Sequence, residues 1–308
     1  MAEQDRRLKT WSLLLLFGLY TRNERGRRIV CRSLLVRTLE FLREVGPPAE
    51  VRSNMRSTDT VLTGSSIVHF LIRDDTLSWI PSNVNFVSSS AGFNQFCTYL
   101  VSDLNADELR HELLHPDDDD PTQEQADAVV FAEAGITERV HFRVRDVTIQ
   151  VSRSATFSPL TAIAWGDNSL LFSYLSADTV CVAYPHAFLD NACIFSTGRG
   201  TETHLKLYKD RRFTVYRSAM DYLGIPHAVE CLPNGYCAKA KRYFADDRCI
   251  FMRFGDGAAY LGGDDSLAVE RFTAVWTWGG QPCENRRCST VAQHTVGLAI
   301  ANMCKVPI

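Results

Sequence analysis

Apolar residues recur at helical spacing between residues 29 and 45, where Ile29, Leu34, Leu35, Leu39, Phe41 and Leu42 interleave with Arg and Glu, and Gly46-Pro47-Pro48 ends the run. From Val61 to Val87 the pattern changes to an apolar strand, a Gly-Ser turn, a short helix, a loop and a second strand. Gly92 to Leu100 reads as a helix with Phe93, Phe96 and Leu100 on one side, and Thr122 to Ala134 as another, capped by Asp120 or Thr122. Val140 to Val151 alternates as a strand does, and residues 169–184 are rich in β-branched and aromatic side chains. Beyond residue 200, strand-like pieces such as Phe213–Tyr216 and Cys249–Phe254 alternate with Gly, Asp and Asn turns. The expected fold class is α/β (α+β), a mixed sheet with flanking helices followed by a β-rich C-terminal region. The expected domains are a basic and apolar helix over 1–28, a core over 29–198 with an acidic insertion near 103–139, and the β-rich region over 199–308.

A chain of 308 residues, 45% of them hydrophobic, buries one large core or two smaller ones. Its net charge of -3 provides no global basic field to collect nucleic acid. Charge is instead segregated. Residues 1–45 hold ten basic against five acidic residues, and residues 101–140 hold twelve acids and two bases, centred on Asp117–Asp120. Such an acidic run is ordinarily solvated. The ten Cys have irregular spacing in a long chain, which points to buried thiols in a reducing, cytoplasmic setting rather than to a disulfide framework.

At the N-terminus, Arg6, Arg7 and Lys9 precede the apolar run Trp11 to Tyr20, an order shared with secretory signals. The run is about ten residues, half of the roughly 20 needed to span a bilayer. No Ala-x-Ala-like site follows it, so a helix packed on the domain is expected.

The second strand of the 61–87 segment carries Asn83 and Asn85. Alternate residues of a strand project together, so the two amides share a face. With Asp at both positions this would be a signal for metal-dependent phosphoryl transfer, because paired carboxylates hold the cations that neutralise charge on phosphate. The segment resembles the nucleotidyltransferase fold of the polymerase-β type, in which a Gly-Ser turn opens a helix, a strand follows with an Asp-x-Asp pair, and a neighbouring strand adds a third Asp. Gly64-Ser65 matches the turn and Ser82–Phe86 the metal strand. Trp79-Ile80-Pro81-Ser82, Phe157-Ser158-Pro159-Leu160 and Cys181–Pro185 are similar to segments of a group of uncharacterised fungal proteins with this fold. The likeness covers residues 35–190 and puts Gln150 where the third acid would stand. It implies a nucleotide site at Gly64 and Ser65, with magnesium as cofactor in active members.

Here all three acids are amides. Amide oxygens enter magnesium or calcium shells but bring no charge. At an effective dielectric near 20, one unit charge pair at 4 Å is worth about 4 kcal/mol, so losing three such attractions abolishes cation affinity. Asp146 is four residues from Gln150, about 13 Å along a strand, too far to substitute. Asp74 and Asp75 stand in the loop before Trp79. The expectation is a catalytically degenerate nucleotidyltransferase-fold protein with a nucleotide-binding, regulatory or structural role and a nucleotide or protein partner, against the alternative of an active transferase.

A rival motif is His111-Glu112-Leu113-Leu114-His115, the His-Glu-x-x-His pattern of zinc metallopeptidases. On a helix, His111 and His115 would share a face to bind zinc, with Glu112 as base and Glu124 or Glu133 as third ligand. Pro116 ends such a helix at once, and the flanking residues are polar, as on a surface helix. Cys231, Cys237, Cys283 and Cys288 have spacings unlike ordinary zinc pairs, and buried thiols fit them better.

Overall fold

Helices α1 (Leu13–Arg22) and α2 (Glu24–Leu42) form a hairpin at the start of the described chain. Asn23 caps α2, its Oδ1 accepting from the Gly26 N–H at 2.8 Å. Gly26 lets the helices meet, since a Cβ there would stand 2.2 Å from the Leu19 carbonyl oxygen. The basic-then-apolar run is therefore helical in its described part, with Leu16 fully buried. Among the described residues no helix is long and apolar enough to cross a membrane. The computed structural model describes residues 13–72, 79–113, 135–196, 201–224, 236, 241–254, 274–276 and 278.

Two compact units interleave along the sequence. The first comprises Met1–Pro159, Ser173–Cys181 and Phe251–Gly263, and the second Leu160–Phe172, Val182–Ile250 and Asp264–Ile308. The division does not follow the boundary expected at 198/199, because later segments return to the first unit. After α3 (Pro48–Ser57) come β1 (Thr60–Thr63), α4 (Gly64–Ile72), β2 (Val84–Ser88), α5 (Phe93–Ser102), β3 (Asp107–Leu113), β4 (Ile136–Val144), β5 (Val147–Ser154), β6 (Ser173–Leu175), β7 (Thr179–Val182) and β11 (Ile250–Arg253). These strands form one mixed eight-stranded sheet in the order β11-β7-β6-β1-β2-β5-β4-β3. The β2–β5 pair is parallel; β1–β2, β4–β5 and β3–β4 are antiparallel.

Alternation assigns the faces. Leu62, Phe86, Ile149, Val151, Val140 and Phe142 are buried and share one side of the sheet. Phe96 of α5 meets Phe86 there, ring centroids 5.3 Å apart. The other side carries Thr63, Asn85, Gln150 and His141 in one cross-strand row. An ion cluster fixes the returning β6–β7 segment. Asp178 accepts from Arg52 Nη2 at 2.6 Å and from Arg56 Nε and Nη2 at 2.7 and 2.6 Å, and its carbonyl accepts from the Phe254 N–H at 2.8 Å.

The second unit contains α6 (Leu160–Ile163), α7 (Pro185–Leu189), β8 (Ala192–Ile194), α8 (Glu202–Asp210), β9 (Thr214–Tyr216), α9 (Ala219–Leu223), β10 (Arg242–Tyr243) and β12 (Val275–Trp276). β8 pairs with β9 in parallel and β10 with β12 antiparallel. Its core is aromatic, with Phe172, Tyr184, Phe244, Trp276 and Trp278 buried. Arg242 is buried among them, its guanidinium 4.9 Å from the Tyr184 ring centroid and bonded to both Asp246 oxygens at 2.5 and 3.0 Å.

Three expectations need correction. Val140 to Val151 is a hairpin with its turn at Arg145 and Asp146, where Arg145 adopts φ 55°, so Asp146 stands in the turn and not on the strand with Gln150. Residues 107–113 form β3 and not a helix, since ladder bonds to β4 satisfy their backbone. Among the described residues of 201–254, helices α8 and α9 stand beside the short strands, where strand-like pieces and turns are expected. The helix expected over 122–134 lies outside the described residues.

Candidate functional site

The Gly64 turn links β1 to α4 with φ +67°, a left-handed conformation that glycine adopts without Cβ strain. A Cβ on Gly64 would stand 2.7 Å from Asn85 Nδ2, so the turn and the amide lie in direct contact. Ser66, fully buried in the first turn of α4, donates from Oγ to the Asn83 carbonyl at 2.9 Å and accepts from the Asn85 N–H at 3.3 Å. One hydroxyl thus fixes the start of α4 against the start of β2. Sequence reasoning singled out Ser65, which is half-buried in the same turn, and missed Ser66.

The three amides converge. Asn83 precedes β2 and Asn85 lies within it, both projecting to the same side; Asn83 Nδ2 donates to Asn85 Oδ1 at 2.9 Å and more weakly to Gln150 Oε1 at 3.4 Å. Gln150 is the direct partner of Asn85 in the parallel β2–β5 register. All three side chains are half-buried.

This donor set does not fit magnesium. It is uncharged, and the Asn85 and Gln150 oxygens are both engaged by one amide nitrogen. Among the described residues no group of three or more His, Cys, Asp or Glu side chains is arranged to hold a metal ion.

Beside Gln150 the row continues into charge. His141 faces Gln150 across β5–β4, and Arg110 faces His141 across β3–β4. Glu112 lies 2.9 Å from Arg110 Nε, 3.6 Å from Arg139 Nη1 and 3.5 Å from His141 Nε2. Burial pushes the His141 imidazole below its ordinary range; Glu112 opposes that shift, and Arg139 and Arg110 add to it. None of these residues was singled out for this site from sequence. The signal was the alternation of Arg139, His141 and Arg143, hidden by reading the hairpin as one strand.

His111 and Glu112 occupy successive positions of β3, so they project to opposite faces. His111 Nε2 is 2.7 Å from Glu138 Oε1, and Glu112 faces the arginines. The helical spacing that would bring His111 and His115 to one zinc ion is absent from 107–113, and His115, Glu124 and Glu133 lie outside the described residues. Cys249 is buried in the second unit with Sγ 3.2 Å from Asp246 Oδ1, while Cys231, Cys237, Cys283 and Cys288 lie outside the described residues, as do Asp74 and Asp75.

Comparison of the chain with protein families, with curated proteins and with solved structures gives no match.

Proposed function

We propose that this is a protein of nucleotidyltransferase type that binds a nucleotide at the Gly64 turn and has lost the transfer reaction. The observation that carries the reading is the meeting of the Asn83 and Asn85 amides with that of sequence-distant Gln150 beside that turn. Asn83, Asn85 and Gln150 are the positions where the resemblance demands acids, and Asn83 lies within hydrogen-bond reach of both others. A strand–turn–helix with a left-handed glycine presents backbone N–H groups at the start of α4, which suits a phosphate group. The adjoining amides are the wrong chemistry for gathering dications and the right chemistry for donating to anionic oxygens.

The role that follows is nucleotide sensing or nucleotide-dependent partner binding. The test is calorimetry of the full chain with ATP and GTP, coupled to an assay for pyrophosphate release in magnesium. Binding without pyrophosphate is expected. Sustained pyrophosphate release would overturn the loss of activity, and absence of binding to any nucleoside triphosphate would overturn the nucleotide site.

A further inference from the structure

We infer that β3 is a homodimerisation edge, along which a second copy of this chain adds its own β3 in antiparallel register about a two-fold axis at His111. Strand β3 closes one end of the eight-stranded sheet, bonded to β4 on one side, and no described strand lies along its other side. A strand edge in that position offers a row of backbone N–H and C=O groups to any chain that can match it.

Two side chains set this edge apart from a merely solvated one. Leu109 and Leu113 are 47% and 60% exposed, although edge strands are ordinarily blunted with charge. The ladder to β4 shifts between Glu108 and Arg110 and is regular from Arg110 onward. His111 stands opposite Val140, which is buried with Phe142 on the core side of the sheet. By alternation Leu109, His111 and Leu113 belong to that apolar side, and Arg110 and Glu112 to the other. The apolar layer of the first unit thus runs out to the edge and ends there in exposed leucines.

The residues of the strand select the occupant. An axis through His111 sets Leu109 of each copy opposite Leu113 of the other, and Arg110 opposite Glu112. Those two charges already pair within the chain, Arg110 Nε standing 2.9 Å from Glu112 Oε1, so the dimer sets two such pairs side by side and needs no unengaged arginine. His111, held by Glu138 Oε1 at 2.7 Å, meets its counterpart on the axis. Moving the axis one residue sets Arg110 against Arg110 or Glu112 against Glu112, and like charges directly opposite are destabilising. An axis at Leu109 runs the ladder across the shift between Glu108 and Arg110. An axis between residues sets side chains of opposite faces against each other, which the pleat forbids. The His111 register joins leucine to leucine twice and carries the apolar layer from one sheet into the next.

Every residue that this pairing uses lies on β3 itself, so one strand serves as both halves of an isologous contact. The contact is short, with seven residues of β3 in each copy. A small interface of this kind associates weakly, with a dissociation constant on the order of 10 μM.

The experiment is sedimentation equilibrium of the full-length protein from about 1 to 100 μM, with circular dichroism of each variant as a check on folding. A concentration-dependent rise from the mass of one chain to that of two is expected. Leu113→Lys alters a side chain that is exposed in the single chain, and it is expected to weaken the dimer about a hundredfold because both leucine contacts are lost. His111→Cys tests the register. Directly opposed residues of an antiparallel pair stand about 4.5–5.5 Å apart at Cα, within the range a disulfide spans, so oxidation should give this variant a cross-linked dimer that the parent lacks. Glu108→Cys, three residues from the axis and about 20 Å from its counterpart, should give none. A single chain mass at every concentration overturns the inference and leaves the edge to solvent or to a different chain. A dimer that withstands Leu113→Lys, or that His111→Cys fails to cross-link, overturns it equally.

Discussion

Asn85 and Gln150 stand directly opposite one another on the parallel pair β2–β5, and the Asn83 side-chain nitrogen donates to the oxygens of both. Two residues separated by 65 positions in the chain are thereby joined to a third in one uncharged cluster. The cluster's neutrality makes cation binding unfavourable, and Asn85 packs directly against the Gly64 turn.

Gly64→Ala is predicted to destabilise the first unit by about 1–3 kcal/mol, because alanine at φ +67° is strained and its methyl would press on the Asn85 amide. Urea unfolding of the variant measures the loss, and a stability unchanged from the parent would contradict the close packing of turn and amide.

Ser66→Ala removes the donor to the Asn83 carbonyl and the acceptor for the Asn85 N–H, both in a buried setting. A cost of about 1–3 kcal/mol is expected. Ser65→Ala, in the same turn, is predicted to weaken nucleotide binding with little effect on unfolding. The contrast between the two variants separates scaffold from ligand contact.

Asp178→Ala breaks the cluster with buried Arg52 and with Arg56, and is expected to cost about 3 kcal/mol or more. Burial pushes the Asp178 carboxyl up, but the hydrogen bonds and charges of Arg56 and Arg52 outweigh it and hold the group below its ordinary value of 3.8. The folded state is thus stabilised by ionisation of Asp178. That contribution is full above the unfolded value and disappears as pH falls through the lower folded value. Acid titrations of stability in the parent and in Asp178→Asn are predicted to converge at the acid end.

In the second unit, His204 donates from Nδ1 to Asp167 Oδ2, 3.0 Å away, and this hydrogen bond raises the imidazole above its ordinary 6.5. The sign is opposite to that of Asp178. Stability from the pair is complete below pH 6.5 and is lost as pH rises through the elevated folded value. Because both side chains are partly exposed the effect is small, and it is read as a slope in melting temperature across neutral pH that His204→Gln abolishes.

Legibility from sequence followed the range of the information. The strand–turn–helix at 60–72, the alternation of Asn83 and Asn85 and the strand carrying Gln150 are local patterns, and their meeting followed from a resemblance in order and spacing. The hairpin at Arg145 and Asp146 was missed because neither residue is glycine and a polar dipeptide between apolar runs still alternates. Residues 107–113 looked helical because their charges fit a surface helix as well as an edge strand; pairing with β4 decided the matter, and pairing is non-local. The insertion of β6, β7 and β11 into the first sheet depends on Asp178 meeting α3, which no window of sequence contains.

The most direct test of the neutral-cluster account is magnesium titration, by calorimetry, of the parent protein and of the triple variant Asn83→Asp, Asn85→Asp, Gln150→Asp. The account predicts no resolvable magnesium binding by the parent at millimolar cation and clear binding by the variant, since three carboxylates would then converge beside Gly64. Tight magnesium binding by the parent, or none gained by a folded triple variant, would contradict it.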